Sequence, residues 1–147
     1  MDNYLLQAVL RVINKYNAVA KRPGYYGTDV LMYPSEIHVI DAIGSSKNAT
    51  ATSLAGQLGI TKGGISQCVA KLYGKDLIYK SAGTGINEIY LHLTEKGMAA
   101  YEGHKKLHKH MNERIEDMIA DMNDDTKEEI LKLMDALEEE LSLIGDS

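Results

Sequence analysis

Thr50-Ala-Thr-Ser-Leu-Ala-Gly-Gln-Leu-Gly-Ile-Thr-Lys-Gly-Gly-Ile-Ser-Gln67 decides the fold, together with Asp76-Leu-Ile-Tyr-Lys80 and Glu88-Ile-Tyr-Leu-His-Leu-Thr94 downstream. Thr50 is placed to cap a helix in which Leu54, Ala55 and Leu58 share one apolar face. Gly59 follows the last of them, and glycine there accepts the left-handed backbone that ends helices. Thr61 is placed to cap a second helix, with Ile65, Val69 and Leu72 pointing inward at spacings of four and three. The other face of that helix carries Thr61, Lys62, Ser66, Gln67 and Lys71.

Two short helices joined by a tight glycine-bearing turn form the helix-turn-helix, whose second helix lies in the major groove of DNA. Gly63 and Gly64 let the backbone come close, while hydroxyl, amide and ammonium groups reach bases and phosphates. An ordinary helical hairpin with a polar outer face satisfies the same pattern, so the next segment matters. Leu77–Ser81 and Glu88–Leu93 are rich in β-branched, aromatic and apolar residues, with Ile89, Leu91 and Leu93 alternating. Ala82-Gly-Thr-Gly-Ile-Asn87 between them is turn chemistry. A hairpin directly after a helix-turn-helix is a wing, and its tip is expected to reach the DNA backbone or minor groove.

These stretches resemble the MarR family of bacterial winged-helix transcription regulators. The resemblance is carried by residues 50–67, by Leu72-x-x-Lys-Asp-Leu-Ile78 and by Leu91-His-Leu-Thr-Glu-Lys-Gly97, about a third of the chain. It implies a sequence-specific DNA-binding regulator, most often a repressor, acting as a homodimer on a palindromic operator under control of a ligand. The family carries an aspartate and arginine pair in the wing, the arginine entering the minor groove. Here the tip is Gly83-Thr-Gly-Ile-Asn87, without arginine, and Lys80 and Thr84 are the weaker substitutes.

The 147 residues are one domain's worth of chain, 44% apolar, with a net charge of -5. That charge is unevenly spread. Residues 61–80 hold Lys62, Lys71, Lys75 and Lys80 against Asp76, while 111–147 hold thirteen acidic residues against Arg114, Lys127 and Lys132. Screening limits electrostatic reach to roughly 8–10 Å at physiological salt, so a basic face on an acidic body can still bind DNA. No stretch has the length of a membrane span or the pattern of a signal peptide, and a cytoplasmic protein is expected.

The fold class expected is mainly α with a small β-hairpin wing, a single winged-helix domain over 1–147. Residues 34–93 form its DNA-binding core, and 1–20 and 95–145 its dimerisation helices. Leu5, Val9, Val12, Ile13, Tyr16 and Val19 share a broad face of the first helix. Thr94 is placed to cap a long helix reaching about Asp121, and Thr126 with Glu129 has the capping-box pattern for a last helix. Ile130, Met134, Leu137, Leu141 and Ile144 form a seam along it. The seam is expected to meet a second copy; packing of first against last helix within one chain is the alternative. The family resemblance implies interleaved terminal helices in a dimer.

His104 and His108 stand four apart on the long helix, on one face, close enough to grip one metal ion. His38 stands in Glu36-Ile-His-Val-Ile-Asp41. The chain resembles the zinc-sensing branch of the family at these three positions, which there supply ligands of a regulatory site. Residues 36–44 and 104–108 resemble more closely the branch that represses fatty-acid synthesis and responds to acyl chains on a carrier protein. Zinc, or an acyl-type or other small-molecule effector, is therefore expected near His38, His104 and His108, with hydrogen bonding in a packed crevice, or plain solvation, as the alternative. Cys68 is the only cysteine, which excludes an internal disulfide. It is expected inside the core as a small apolar group rather than as a thiol switch. No histidine, carboxylate and nucleophile fall into a catalytic spacing, and Gly83-x-Gly85 precedes no helix that could cradle a phosphate, so no enzyme is expected. A protein-interaction module without DNA is the remaining rival.

Overall fold

The computed structural model describes residues 2–145, and side chains from residue 4 to residue 143. The elements run α1 (Asp2–Ala20), α2 (Pro34–Gly44), α3 (Ala51–Leu58), α4 (Lys62–Gly74), β1 (Ile78–Ala82), β2 (Ile89–Leu93), α5 (Glu95–Ala120) and α6 (Asp124–Gly145). The protein is mostly helical with one antiparallel hairpin. None of the described helices is long and apolar enough to cross a membrane.

The chain divides into two compact units, Met1–Lys106 and Leu107–Ser147, the boundary falling within α5. Burial explains the division. Among the described residues every buried one belongs to the first unit, whereas in the second Leu107, Met111, Ile115, Met118, Ile130, Met134 and Leu141 are exposed.

The core of the first unit is built around α2. Ile37, Ile40 and Ile43 of α2 pack with Met32, Leu54, Ile65, Leu72, Leu77, Ile78 and Leu91. Each fully buried aliphatic side chain contributes about 1.5–3 kcal/mol of transfer free energy, so this cluster holds α3, α4 and the hairpin to one scaffold. The hairpin register pairs Ile78 with Leu93 and Ala82 with Ile89, and Leu91 donates its N–H to the Ala49 carbonyl at 2.8 Å. Residue 49, just ahead of α3, thus forms a third edge to the wing.

Local chemistry explains the junctions. Thr50 Oγ1 accepts from Ser53 N–H at 3.1 Å, and Ser53 Oγ accepts from Thr50 N–H at 2.9 Å, a reciprocal cap at the start of α3. Gly59 ends that helix at φ 64°, and Thr61 Oγ1 caps α4 through Gly64 N–H at 3.0 Å. Thr94 ties the wing to α5: its N–H donates to the Leu77 carbonyl and its hydroxyl to the Asp76 carbonyl at 2.7 Å, while Gly97 N–H donates to Thr94 Oγ1. Gly97 has no room for a side chain, since a Cβ there would lie 1.9 Å from the Leu77 carbonyl oxygen. At Gly103 it would lie 2.0 Å from that of Tyr26. These contacts give Thr94 and Gly97 a structural reason in the Leu-Thr-Glu-Lys-Gly97 stretch.

One expectation of the sequence reading is corrected. The last helix is capped by Asn123, whose Oδ1 accepts from Thr126 N–H at 2.8 Å, so Thr126 lies in the first turn instead of heading it. Residues 24–32, unassigned by the sequence reading, form a tight hairpin-like loop through the Gly24–Met32 bridge, with Tyr26 at φ 49° and Gly27 at φ 79°. Along α6, Leu137 is half-buried, and the side chain of Ile144 lies outside the described residues.

Candidate nucleic-acid interface

Helix α4 divides sharply into two faces. Ile65, Val69 and Leu72 are buried against α2 and α3, with Cys68 beside them. Thr61, Lys62, Gly63, Ser66, Gln67 and Lys71 are all exposed. They occupy successive turns of one face, because residues three and four apart on a helix are neighbours. A Cβ at Gly63 would meet nothing within 4 Å, so that position is open to an approaching backbone. The hydroxyl of Thr61 is already engaged as the cap, whereas Gln67 presents an amide that can make paired hydrogen bonds to a base edge.

Lys75 does not belong to the basic face on which the sequence reading places it. Its ammonium lies 2.8 and 2.9 Å from the two carboxylate oxygens of Glu36 and 2.8 Å from the Leu31 carbonyl. Glu36 is 1% exposed and also accepts from Tyr33 N–H at 2.7 Å, heading α2. The charge of Lys75 is therefore consumed inside the first unit, and the exposed cations along α4 are Lys62 and Lys71. Lys80, on β1, sits with its ammonium 4.9 Å from the centre of the Tyr73 ring, a cation–π contact that draws it toward the end of α4.

On the wing, Tyr79 stacks on His92 with ring centres 4.9 Å apart, and Ser81 Oγ lies 2.7 Å from His92 Nε2. Thr84 Oγ1 lies 3.2 Å from the Tyr90 hydroxyl, so Thr84 is a polar group at the base of the tip. The tip is fastened by Glu88, whose Oε2 accepts from Gly85 N–H at 2.7 Å.

The histidines divide between the two units. His38 and His104 come together, with ring centres 6.3 Å apart, and His104 packs edge-on against Tyr26 at 5.5 Å. His104 is 7% exposed, with Nδ1 3.6 Å from Asp41 Oδ1. His108 falls in the second unit. Among the described residues no group of three histidine, cysteine, aspartate or glutamate side chains is arranged to hold a metal. Asp41 and Tyr26 are the partners that sequence spacing missed; Tyr26 reaches His104 from the 24–32 loop, which carries no periodic signal.

Cys68 is buried, and its Sγ lies 3.6 Å from the Ser35 carbonyl. Burial, reinforced by the negative Glu36, pushes its thiol up to about 11. Such a group stays protonated near neutrality and is a poor nucleophile.

No family model matches the sequence. Two curated proteins of Bacillus subtilis (strain 168) are similar. The HTH-type transcriptional regulator PchR is 26% identical over 104 residues, 70% of this chain and 62% of PchR. The uncharacterized HTH-type transcriptional regulator YhjH is 27% identical over 107 residues, 72% of this chain and 59% of YhjH. The chain thus matches about three fifths of the length of these relatives. Among solved structures, the zinc-responsive MarR family member ZitR of Lactococcus lactis superposes with a TM-score of 0.76 at 19% identity, over 96% of this chain and 99% of ZitR. ZitR in complex with DNA gives 0.75 at 21% identity, over 93% and 97%. The zinc-dependent MarR family regulator AdcR in its Zn(II)-bound state gives 0.70 at 17% identity, over 94% and 98%. The fold of this chain is that of the MarR winged helix.

Proposed function

We propose that this chain is a MarR-family regulator, not an enzyme: a cytoplasmic homodimer that binds duplex DNA at a near-palindromic operator, represses transcription there, and is modulated by a ligand. The observation that carries the reading is the division of α4, with Ile65, Val69 and Leu72 anchoring it and Thr61, Lys62, Gly63, Ser66, Gln67 and Lys71 left on one exposed face ahead of a wing. In this reading Gln67 and Ser66 meet base edges, Lys62 and Lys71 meet phosphates, and Lys80 and Thr84 lie near the backbone beside the wing. The similarity to HTH-type regulators and to a structure solved with DNA supports it.

Dimerisation is supported by apolar stripes that the chain leaves uncovered. Leu5, Val12, Tyr16 and Val19 of α1 are exposed, and so are Ile130, Met134 and Leu141 of α6. A twofold dimer reads two half-sites about one helical turn apart. Selection of duplexes from a random library by the purified protein tests the reading: an inverted repeat bound by two chains is expected, and failure to enrich any duplex refutes it.

A zinc-responsive version of the same regulator is favoured by the meeting of His38 and His104 beside Asp41, and by the zinc-responsive neighbours in fold. An acyl-type compound is the other effector class, and in that reading the histidines line an apolar crevice. Titrating zinc and a long-chain acyl compound in calorimetry, alongside binding to the selected duplex, separates the two. Only a ligand with different affinity for the two states of the protein changes DNA occupancy. Zinc binding that weakens in acid, where protons compete with the metal for the ring nitrogens, identifies imidazole ligands.

A further inference from the structure

The wing tip is closed by its own hydrogen bonds, yet it presents to solvent a side chain that the fold does not use. Three hydrogen bonds close residues 83–88: Gly83 N–H to the Glu88 carbonyl at 2.7 Å, Glu88 N–H to the Gly85 carbonyl at 3.3 Å, and Gly85 N–H to Glu88 Oε2. Asn87 takes the left-handed backbone at φ 58° to complete the turn. None of these interactions involves the Ile86 side chain. Ile86 is 97% exposed, more than any other large apolar side chain among the described residues. Ile89, paired with Ala82 just below, is exposed as well.

We propose that Ile86 is an apolar wedge that enters the minor groove of duplex DNA beside the segment read by α4, so that the wing binds by burial of hydrocarbon and not by charge. The inference rests on the DNA-binding reading above. Isoleucine is one of the side chains by which proteins pry at base steps from the minor groove. The electrostatics of the tip fit this role. Residues 83–87 carry no cation, Lys80 is drawn to the Tyr73 ring, and the Glu88 carboxylate is folded back onto Gly85 N–H, where it repels a phosphate less than a free one. Continuity points to DNA as the occupant, since the hairpin follows α4 directly and packs against it. A protein partner is a poor fit, because one side chain on a narrow loop falls far short of the roughly 800 Å² per partner of a stable protein interface.

A wedge favours steps that unstack easily, so the sequence beneath the wing should be enriched in pyrimidine–purine steps. The test uses the duplex selected from a random library by the wild-type protein, measured at several salt concentrations with Ile86→Ala, Ile86→Arg and Lys71→Ala. Ile86→Ala should bind roughly 10- to 50-fold more weakly with an unchanged salt slope, and should lose the preference for the flexible step. Ile86→Arg should regain affinity only with a slope steeper by about one per wing. Ile86 lies outside the core, and circular dichroism of the variants is expected to match wild type. If Ile86→Ala binds as wild type while Lys71→Ala is weakened, the wedge is wrong and the helix-turn-helix reading stands. A change in sedimentation with no change in DNA binding would instead make the tip a protein contact and overturn the proposal. Failure of the wild type to select any duplex overturns both readings.

Discussion

Lys75 and Glu36, separated by 39 positions in sequence, form an ion pair at 2.8 Å that ties the residue capping the end of α4 to the first turn of α2. Glu36 is sealed from solvent, while the Lys75 side chain keeps 30% exposure. Removing one partner of a buried pair leaves the other charge uncompensated, at about 3–5 kcal/mol when both are fully buried. Lys75→Ala strands the carboxylate and should cost about 2–3 kcal/mol, less than that full range because Lys75 is partly wet. Glu36→Gln should cost less, about 1–2 kcal/mol, because the amide keeps its size and can still accept a hydrogen bond. Urea denaturation measures both. A Lys75→Ala protein as stable as wild type contradicts the pairing.

The same pair separates the lysines in DNA binding. Lys71→Ala should weaken all duplexes alike and flatten the salt dependence by about one phosphate contact, whereas Gln67→Ala should relax sequence preference and leave the slope alone. Lys75→Gln should leave the slope at its wild-type value, since that charge is already spent on Glu36. Competition binding at several ionic strengths reads all three. A slope that falls equally for Lys71 and Lys75 would place both on the DNA.

Replacing Leu137 and Leu141 together with Glu should yield monomers or unfolded chain, because charges would be forced into the apolar stripe of α6. Sedimentation of wild type and variant at micromolar concentration decides it. A folded monomeric wild type would end the dimer argument.

Cys68 gives a pH prediction with a defined sign. Its thiol is raised by burial to about 11, above its ordinary value of 9.0, so the folded protein holds that proton more tightly than the unfolded chain. The contribution to stability is complete below pH 9, and is lost as pH rises from 9 toward about 11. Wild type should lose stability over that window, and Cys68→Ala should lose less. In the native state at pH 8, alkylation should be far slower than for an unfolded thiol. Rapid native alkylation at that pH would contradict the burial.

The helix-turn-helix was legible because its signals are local. Thr50, Gly59 and Thr61 act within one turn of themselves, and Ile65, Val69 and Leu72 declare a face by spacing alone. Lys75 was misplaced for the opposite reason: nothing nearby marks it as paired, and Glu36 reaches it only through the packing of α2 on α4. The start of α6 was ambiguous at short range, since Asn123 and Thr126 are both good caps and stand three residues apart. At the histidines, spacing placed His104 and His108 on one face, but only the fold showed His104 meeting His38, Asp41 and Tyr26. Ile86 has no local signature, because a lone apolar residue in a turn carries no periodic signal and its exposure is visible only in three dimensions.

The hydrogen bond from Leu91 to the Ala49 carbonyl fastens the wing at its root, next to the cap of α3. Below the tip, five paired positions and this third edge fix how the hairpin stands, whatever side chain stands at position 86. Tip and frame are therefore free to diverge separately. Exchange of the outward-facing Ile86 alters what the protein touches without disturbing the ladder, whereas an added residue between 45 and 49 would pull the Ala49 carbonyl out of register. The wing is in this sense a replaceable bit in a fixed chuck, and descendants of this chain can acquire new preferences there without relearning how to fold.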